Sequence, residues 1–369
     1  MIEFVKLNSP IPSGGVDYYR LEIERSLNRS IECRNNYQKY SNNKECRTSA
    51  VDYLPIKLDI ENVSRCNLRC DFCAVSTWPK QRRASDLSVE SFSKLLQQQV
   101  GLVEIKLNGL GEALMQGTDF FRMVTIARSV PIWVRVTTNG TLLHLKDNYK
   151  KLADSDVNEI DVSIDSCVPS IYEKIRIGAK FDRVSKNLKL LNGLFDDRGL
   201  TRTKMWTLVQ RDNFDHLKDI TTFAADHGFK HHVFSVGMHG WGDPELERRN
   251  DVISREFQMT TERALSIQEY GESIGVRVAF WGVNTKFTER NLCPWPFERA
   301  VVSSDQRVVP CCMIGNPDAA EIGQNIRSDA FDFSSVWLGA EYKKFRDAHL
   351  AGYDSLPEYC KSCYQRNKT

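Results

Sequence analysis

The sequence lacks several things at once. No run approaches the ~18 consecutive apolar residues that a membrane span needs. The opening residues, MIEFVKLNSPIPSGG, have no basic-then-apolar signal pattern. Neither sign of charge dominates: 50 Lys and Arg stand against 48 Asp and Glu, a net charge of +2. A polyanion-binding surface needs a basic excess, so nucleic acid is not an expected partner. There is no internal repeat and no low-complexity tract. These gaps make the cytoplasm the expected location, with no membrane involved. The 369 residues, 41% of them hydrophobic, suffice for one large domain and a smaller one, each with its own core.

What the chain does have is eleven cysteines. In a large chain without a secretion signal they read as metal ligands or spectators rather than a disulfide framework. Three of them, Cys66, Cys70 and Cys73, form a C-x3-C-x2-C pattern in the stretch Asn62–Arg83, with Phe72 just before the last. Thiolates are soft ligands that select iron–sulfur clusters or zinc in a reducing cell. Three thiolates fill three corners of a four-iron cluster and leave the fourth iron open to chemistry. A zinc ion with one open position is the competing reading.

Around this stretch, strand-like and helix-like segments alternate. Strands are expected at Ile56–Asn62, Leu102–Asn108, Ile132–Thr138, Glu159–Asp165, Lys204–Val209 and His232–Gly237, each a short apolar or β-branched run between turn residues. Amphipathic stretches such as Asp119–Arg128, Phe181–Phe195 and Phe214–His227 lie between them, and a sixth helix is expected near Ser254–Ile274. Such alternation implies α/β architecture, a parallel sheet with crossover helices. In a parallel barrel the reactive groups sit on loops after the strands, and the cysteine stretch follows the first strand. After Val276–Phe280 the texture changes to a hairpin, Ala300–Val302 with Arg307–Val309 around a Ser-Ser-Asp-Gln turn, then a helix-like Trp337–His349. Residues 1–52 read as a polar N-terminal extension placed to cover the site mouth or recruit substrate. Cys33 and Cys46 within it read as ordinary thiols. The expected domains are this extension, a barrel over residues 53–285, and a smaller unit over residues 286–369.

The order of four motifs, CNLRCDFC at Cys66–Cys73, GLGEALM at Gly109–Met115, TTNGTLL at Thr137–Leu143 and SIDS at Ser163–Ser166, resembles that of radical S-adenosylmethionine (radical SAM) enzymes. The resemblance covers roughly residues 54–280 and implies a partial (βα)6 TIM-like barrel. It implies that S-adenosylmethionine chelates the open iron and yields a 5′-deoxyadenosyl radical. Phe72, Gly109, Leu110, Gly111 and Glu112 are then cofactor-binding, as are Thr138, Asn139, Ser163, Asp165 and Arg176. In the family Ser163 and Arg176 match positions that bind the ribose and the methionine carboxylate, a task an arginine fork suits. Ala113 stands where the family has a proline. The competing reading of these polar strand ends is that each merely caps the next helix.

The tail holds a second set: Cys293, Cys311, Cys360 and Cys363. Two ligands flanking a hairpin and a C-x2-C beyond a helix can converge on one centre, whether a cluster or a four-cysteine zinc. With CPW, VVPCC and YCKSC this resembles the twitch form of the SPASM extension, which carries one auxiliary four-iron cluster. The expected cofactors are thus S-adenosylmethionine and two [4Fe-4S] clusters. The choice between Cys311 and Cys312 is open from spacing; the resemblance selects Cys311. Four protein ligands leave no open iron, so this centre reads as an electron relay.

Cys167, after SIDS, is a candidate hydrogen-atom donor or else a small buried thiol. His231, His232 and His239 do not read as a metal site, because adjacent strand residues face opposite sides. Gly237–Asp243 is a candidate substrate-contact loop or a plain connector, and Lys80–Arg83 a solvated basic run.

The leading expectation is an oxidoreductase that abstracts a substrate hydrogen and passes a second electron to the auxiliary cluster. The tail resembles that of aminocyclitol dehydrogenases, which implies a carbinol in a sugar-like small molecule. The first alternative is modification of a precursor peptide by crosslinking or epimerisation; residues 1–52 are short and polar for a peptide-recognition domain. An alternative of another class is a non-catalytic zinc- or cluster-binding protein. An external one-electron donor such as flavodoxin or ferredoxin is an expected partner.

Overall fold

A computed structural model describes residues 11–77, 85–238, 240–241, 243–255, 258–281, 287–288, 291–314, 317–318 and 332–363. Its centre is a sheet of parallel strands: β1 (Lys57–Ile60), β2 (Glu104–Leu107), β3 (Trp133–Thr138), β4 (Glu159–Ser163), β5 (Thr203–Leu208), β6 (His231–Ser235) and β7 (Arg277–Trp281). Each strand pairs with the next in parallel, so every connection is a crossover. All six expected strands are present. β7 adds a seventh to the same sheet, where only six units were expected.

The tail contributes more to this sheet than its sequence implied. Strand β8 (Arg299–Val302) pairs in parallel with β1, and β9 (Val308–Val309) closes an antiparallel hairpin on it. The order is therefore β7-β6-β5-β4-β3-β2-β1-β8-β9, with β7 and β9 at the edges of an incomplete barrel. Gln306 takes φ 65° in the turn, and the Ser303 hydroxyl accepts from Arg307 N at 3.0 Å, which fixes the hairpin's tip.

Strand alternation explains both faces. Leu58, Ile60, Ile105, Leu107, Val134, Val136, Ile160 and Val162 point outward and are buried under the helices. The opposite face carries charges: Glu104 binds Arg299 at 2.8 Å, Glu159 binds Lys204 at 3.0 Å, and Asp161 binds Arg135 at 2.6 Å. Buried ions persist only when paired, and here the partners come from neighbouring strands.

Two helices precede the barrel, α1 (Val16–Leu27) and α2 (Ile31–Glu45). The Ser30 hydroxyl caps α2 by accepting from Cys33 N, and Cys33 is fully buried. They correct the expectation for residues 1–52. Tyr19 donates to Glu104 at 2.8 Å, Asn158 donates to Glu22 at 3.0 Å, and Ser13 N donates to Glu159 at 2.7 Å. Glu104 and Glu159 begin β2 and β4. Residues 13–45 therefore close the N-terminal end of the barrel, opposite the mouth they were expected to cover.

The sixth expected helix, Ser254–Ile274, is observed as the shorter Thr261–Ser273, capped by the Thr260 hydroxyl, and a separate helix, Pro244–Arg255, precedes it. Trp337–His349 resolves into Phe333–Leu338 and Ala340–Leu350, with Gly339 between them. Among the described residues no helix is long and apolar enough to cross a membrane.

Candidate active site and second cysteine site

The loop after β1 carries Cys66, Cys70 and Cys73. Its fold is set by packing against the loop after β2. A Cβ on Gly111 would collide with the carbonyls of Val63 and Arg65, and one on Gly109 with the Glu61 side chain. Glycine at these positions is what lets the two loops touch. Glu112 N donates to Arg65 O at 3.0 Å, closing the contact.

Glu112, Thr138 and Asn139 tie this assembly to β3 from behind. The buried Glu112 carboxylate accepts from the Thr138 hydroxyl at 2.6 Å and from Asn139 N at 2.8 Å. Burial raises its pKa, and those two donors oppose the rise. Asn139 in turn reaches Asn67 at 3.0 Å and the Cys66 sulfur at 3.9 Å, while Leu68 N donates to the same sulfur at 3.4 Å. Gly111, Glu112, Thr138 and Asn139 thus brace the cysteine loop and do not line the cavity in front of it.

That cavity, of about 300 Å³, occupies the C-terminal mouth of the barrel. Of the expected cofactor residues, Phe72, Gly109, Leu110, Ser163 and Arg176 line it, together with Cys73. Asp165 lies behind, fully buried, with Oδ2 2.8 Å from Arg176 Nε and Oδ1 accepting from Leu208 N at 2.9 Å. Burial works to lower the Arg176 pKa, but the attraction of Asp165 outweighs it and holds the guanidinium charged. The Arg176 guanidinium also lies 6.0 Å from the Phe72 ring.

Strand residues the sequence reading passed over complete the walls. Asp59, Lys106 and Asp161 form a charged floor, and Trp206, Trp241 and Trp281 an aromatic side. Lys106 sits 3.9 Å from Asp161, its pKa lowered by burial and by Arg135 beside it. The signal was available: KLDI, EIKL and EIDVS alternate charge with apolar residues, and period two assigns the charges to one face. Gly237, Met238 and Trp241 of the Gly237–Asp243 loop reach the cavity, and Trp241 is held at φ 49°. His239 and Lys80–Arg83 lie outside the described residues.

Cys167 is corrected by its position. The turn after β4, where Ser166 Oγ accepts from Val168 N at 3.0 Å, leads into helix Pro169–Ile175. Cys167 then packs against the core near Asp219 and does not line the cavity. His232 hydrogen-bonds Thr207 at 2.9 Å inside the core, where burial lowers its pKa to about 3. It is a neutral structural residue.

The second cysteine set converges as expected. Cys293, Cys311, Cys360 and Cys363 line one small cavity of about 40 Å³, walled by Trp295, Phe345 and Tyr359. Cys312 does not join them; it lines the large cavity. Cys311 is therefore the residue that faces the smaller site.

Both donor sets fit iron–sulfur clusters. The first offers three thiols on one loop beside an open cavity. The second offers four round a much smaller one. Thiolates are the ligands that iron–sulfur clusters take, one to each corner, and three on one loop or four round one space match that need. Burial pushes the free Cys66 and Cys70 thiols up to about 11, so cluster binding must release their protons.

Comparison with known proteins agrees with this geometry. Residues 62–224 match the radical SAM superfamily, and residues 293–364 match the SPASM iron–sulfur cluster-binding domain. The chain carries a radical SAM domain followed by a SPASM domain. S-adenosylmethionine and [4Fe-4S] clusters are accordingly its cofactors. It is similar to the mycofactocin maturase MftC of Mycolicibacterium smegmatis, 27% identical over 84% of this chain and 75% of that protein. It is also similar to the PqqA peptide cyclase of Gluconobacter oxydans, 22% identical over 85% of this chain and 84% of that protein. Among solved structures, Streptococcus suis SuiB bound to precursor peptide SuiA superposes with TM-score 0.62 at 15% identity, over 85% of this chain and 71% of that one. That likeness concerns the fold.

Proposed function

We propose that the protein is a radical SAM enzyme that modifies a precursor peptide, by crosslinking or epimerisation. The observation that carries this reading is the size and lining of the cavity. At about 300 Å³ it lies at the small end of ligand sites, yet it must admit the reacting end of the cofactor as well. Room remains for one side chain or one ring, walled by indoles and methionines, while the rest of the substrate stays outside the mouth. A peptide meets that demand. The names of PqqA peptide cyclase and of SuiB with its precursor peptide support the same substrate class. They favour it over oxidation of a sugar-like carbinol.

Cys66, Cys70 and Cys73 would hold the radical-generating cluster, and Cys293, Cys311, Cys360 and Cys363 the auxiliary one. Bound S-adenosylmethionine supplies a 5′-deoxyadenosyl radical on one-electron reduction, chemistry that belongs to the cofactor. The chain positions it. Arg176, held by Asp165, would offer its fork to the methionine carboxylate, Ser163 a hydroxyl to the ribose, and the Gly109–Leu110 backbone its polar groups to the amino group. Trp206, Trp241 and Trp281 give the space an apolar side against which a substrate group would pack. A flavodoxin or ferredoxin would deliver the electrons.

The test is anaerobic co-expression with short peptides encoded beside the gene, read by mass spectrometry, with sugar alcohols and cyclitols assayed in parallel. A peptide mass change or altered residue configuration that needs Cys66 is expected. A cyclitol that alone stimulates 5′-deoxyadenosine formation and transfers its label to it would overturn the peptide reading.

A further inference from the structure

The charged face inside the barrel is closed by ion pairs, and Lys106 is left over from them. Asp161 binds Arg135 at 2.6 Å, Glu159 binds Lys204 at 3.0 Å, and Glu104 binds Arg299 at 2.8 Å with Lys57 at 3.6 Å. Asp59 has Arg299 at 3.4 Å. Each of these carboxylates thus has a nearer cation than Lys106. The Lys106 ammonium lies 3.9 Å from Asp161, too far for a hydrogen bond, and among the described residues it makes none. An ammonium carries three donors, and here all three are unused.

The strand register explains the surplus. Lys106 stands opposite Asp59 on β1 and Arg135 on β3. The first is taken by Arg299, and the second is a like charge across the ladder. Burial and Arg135 both lower the lysine's pKa, a penalty that a neighbouring anion would offset. Although it sits inside the barrel, the side chain keeps 20% of its surface exposed, and the space it lines is the large cavity. Arg176, a second cation on that cavity, is tied to Asp165 and would take the methionine carboxylate. Lys106 is left for the substrate.

We infer that Lys106 binds a carboxylate of the substrate, so that the peptide residue entering the cavity is acidic or carries the C-terminal carboxylate. The inference rests on the peptide-modification reading and names what the peptide presents. One ammonium flanked by Asp59 and Asp161 suits a single negative charge. A phosphate, with nearly twice that charge, would be repelled more strongly by both carboxylates. Trp206, Trp241 and Trp281 supply an apolar side for the methylenes or ring that carry the group. Lys106 is then a specificity residue, which selects the side chain admitted to the cavity.

The test measures binding without turnover, by anaerobic calorimetry on the reconstituted holoenzyme with S-adenosylmethionine. The peptide probes are Ala-Ala-Glu-Ala-Ala capped at both ends, its glutamine counterpart capped likewise, and the glutamine peptide with a free C-terminus. Quinate, a ring carboxylate, and its neutral amide form a non-peptide pair. In the wild type a carboxylate probe should bind about ten- to a hundredfold more tightly than its neutral match, as a charged hydrogen bond allows. Preference for the capped glutamate peptide assigns the side chain as the source, and preference for the uncapped glutamine peptide assigns the C-terminus. Lys106→Arg should keep the preference, and Lys106→Met and Lys106→Gln should each lose it, with about eight irons per chain in each variant as the check on folding. A Lys106-dependent preference confined to quinate keeps the carboxylate site and overturns the peptide reading alone. Equal affinities within every pair, no binding by any probe, or a preference that survives in the neutral variants overturns the proposal. Those outcomes leave the substrate class to mass spectrometry of co-expressed peptides.

Discussion

The two cysteine sites differ in how they are made and in what surrounds them. Cys66, Cys70 and Cys73 come from one short loop and stand beside a cavity of about 300 Å³. Cys293, Cys311, Cys360 and Cys363 come from three separate segments, and hairpin, helix and C-terminal turn bring them round a space of about 40 Å³. The larger space has room for a small ligand. The smaller, with four thiols and aromatic walls, does not. The difference in size is what the proposed division of labour between the two centres rests on.

The largest effect that would sharpen this contrast comes from the open site. Replacing Cys66, Cys70 and Cys73 together by alanine should abolish 5′-deoxyadenosine formation and lower iron from about eight to about four per chain. Cleavage of S-adenosylmethionine at the wild-type rate in that variant would break the contrast outright. A smaller effect is expected at Arg176. Replacement by lysine keeps the charge but loses the fork, and with a charged hydrogen bond contributing about 1.5–3 kcal/mol, KM for S-adenosylmethionine should rise roughly ten- to a hundredfold. An unchanged KM would remove Arg176 from the site.

Glu61 joins the two regions, because its carboxylate accepts from Leu110 N at 3.0 Å and from Ser304 N at 3.3 Å. Burial raises its pKa to about 7, against 4.5 ordinarily. The folded state therefore keeps a proton that the unfolded state has lost between those two values, and stability falls as pH rises through that window. It is fully present below about pH 4.5 and levels off above about pH 7, a loss on the order of 3 kcal/mol. Glu61→Gln should flatten the dependence, read as denaturation midpoints at about pH 5 and about pH 8. Parallel curves for the two proteins would show that Glu61 ionises normally in the fold.

The same contrast explains what the sequence made legible. The Cys66–Cys73 motif is local, so its spacing carries it. The strands were visible as β-branched runs, because their outward faces are buried under helices. The tail set was recognisable by its C-x2-C and its hairpin, but pairing of β8 with β1 spans most of the chain and leaves no local trace. The split between Cys311 and Cys312 was likewise invisible, since two adjacent thiols differ only in the direction each faces. The charged floor of Asp59, Lys106 and Asp161 was present as alternation and was passed over in favour of the apolar residues between. Residues 13–45 misled for a physical reason: α1 and α2 bury polar groups such as Glu22 and Asn36 against partners on the barrel, so neither presents a clear apolar stripe.

The most direct test of the division of labour is the ratio of 5′-deoxyadenosine to modified peptide in a variant with Cys360 and Cys363 replaced by alanine. Folding of the variant is checked first, since losing a metal site can unfold a small domain. The account predicts that 5′-deoxyadenosine continues to form while modified peptide is lost, so the ratio rises steeply above that of the wild type. An unchanged ratio, with product formed as before, would contradict it and leave the second cysteine site a structural clasp.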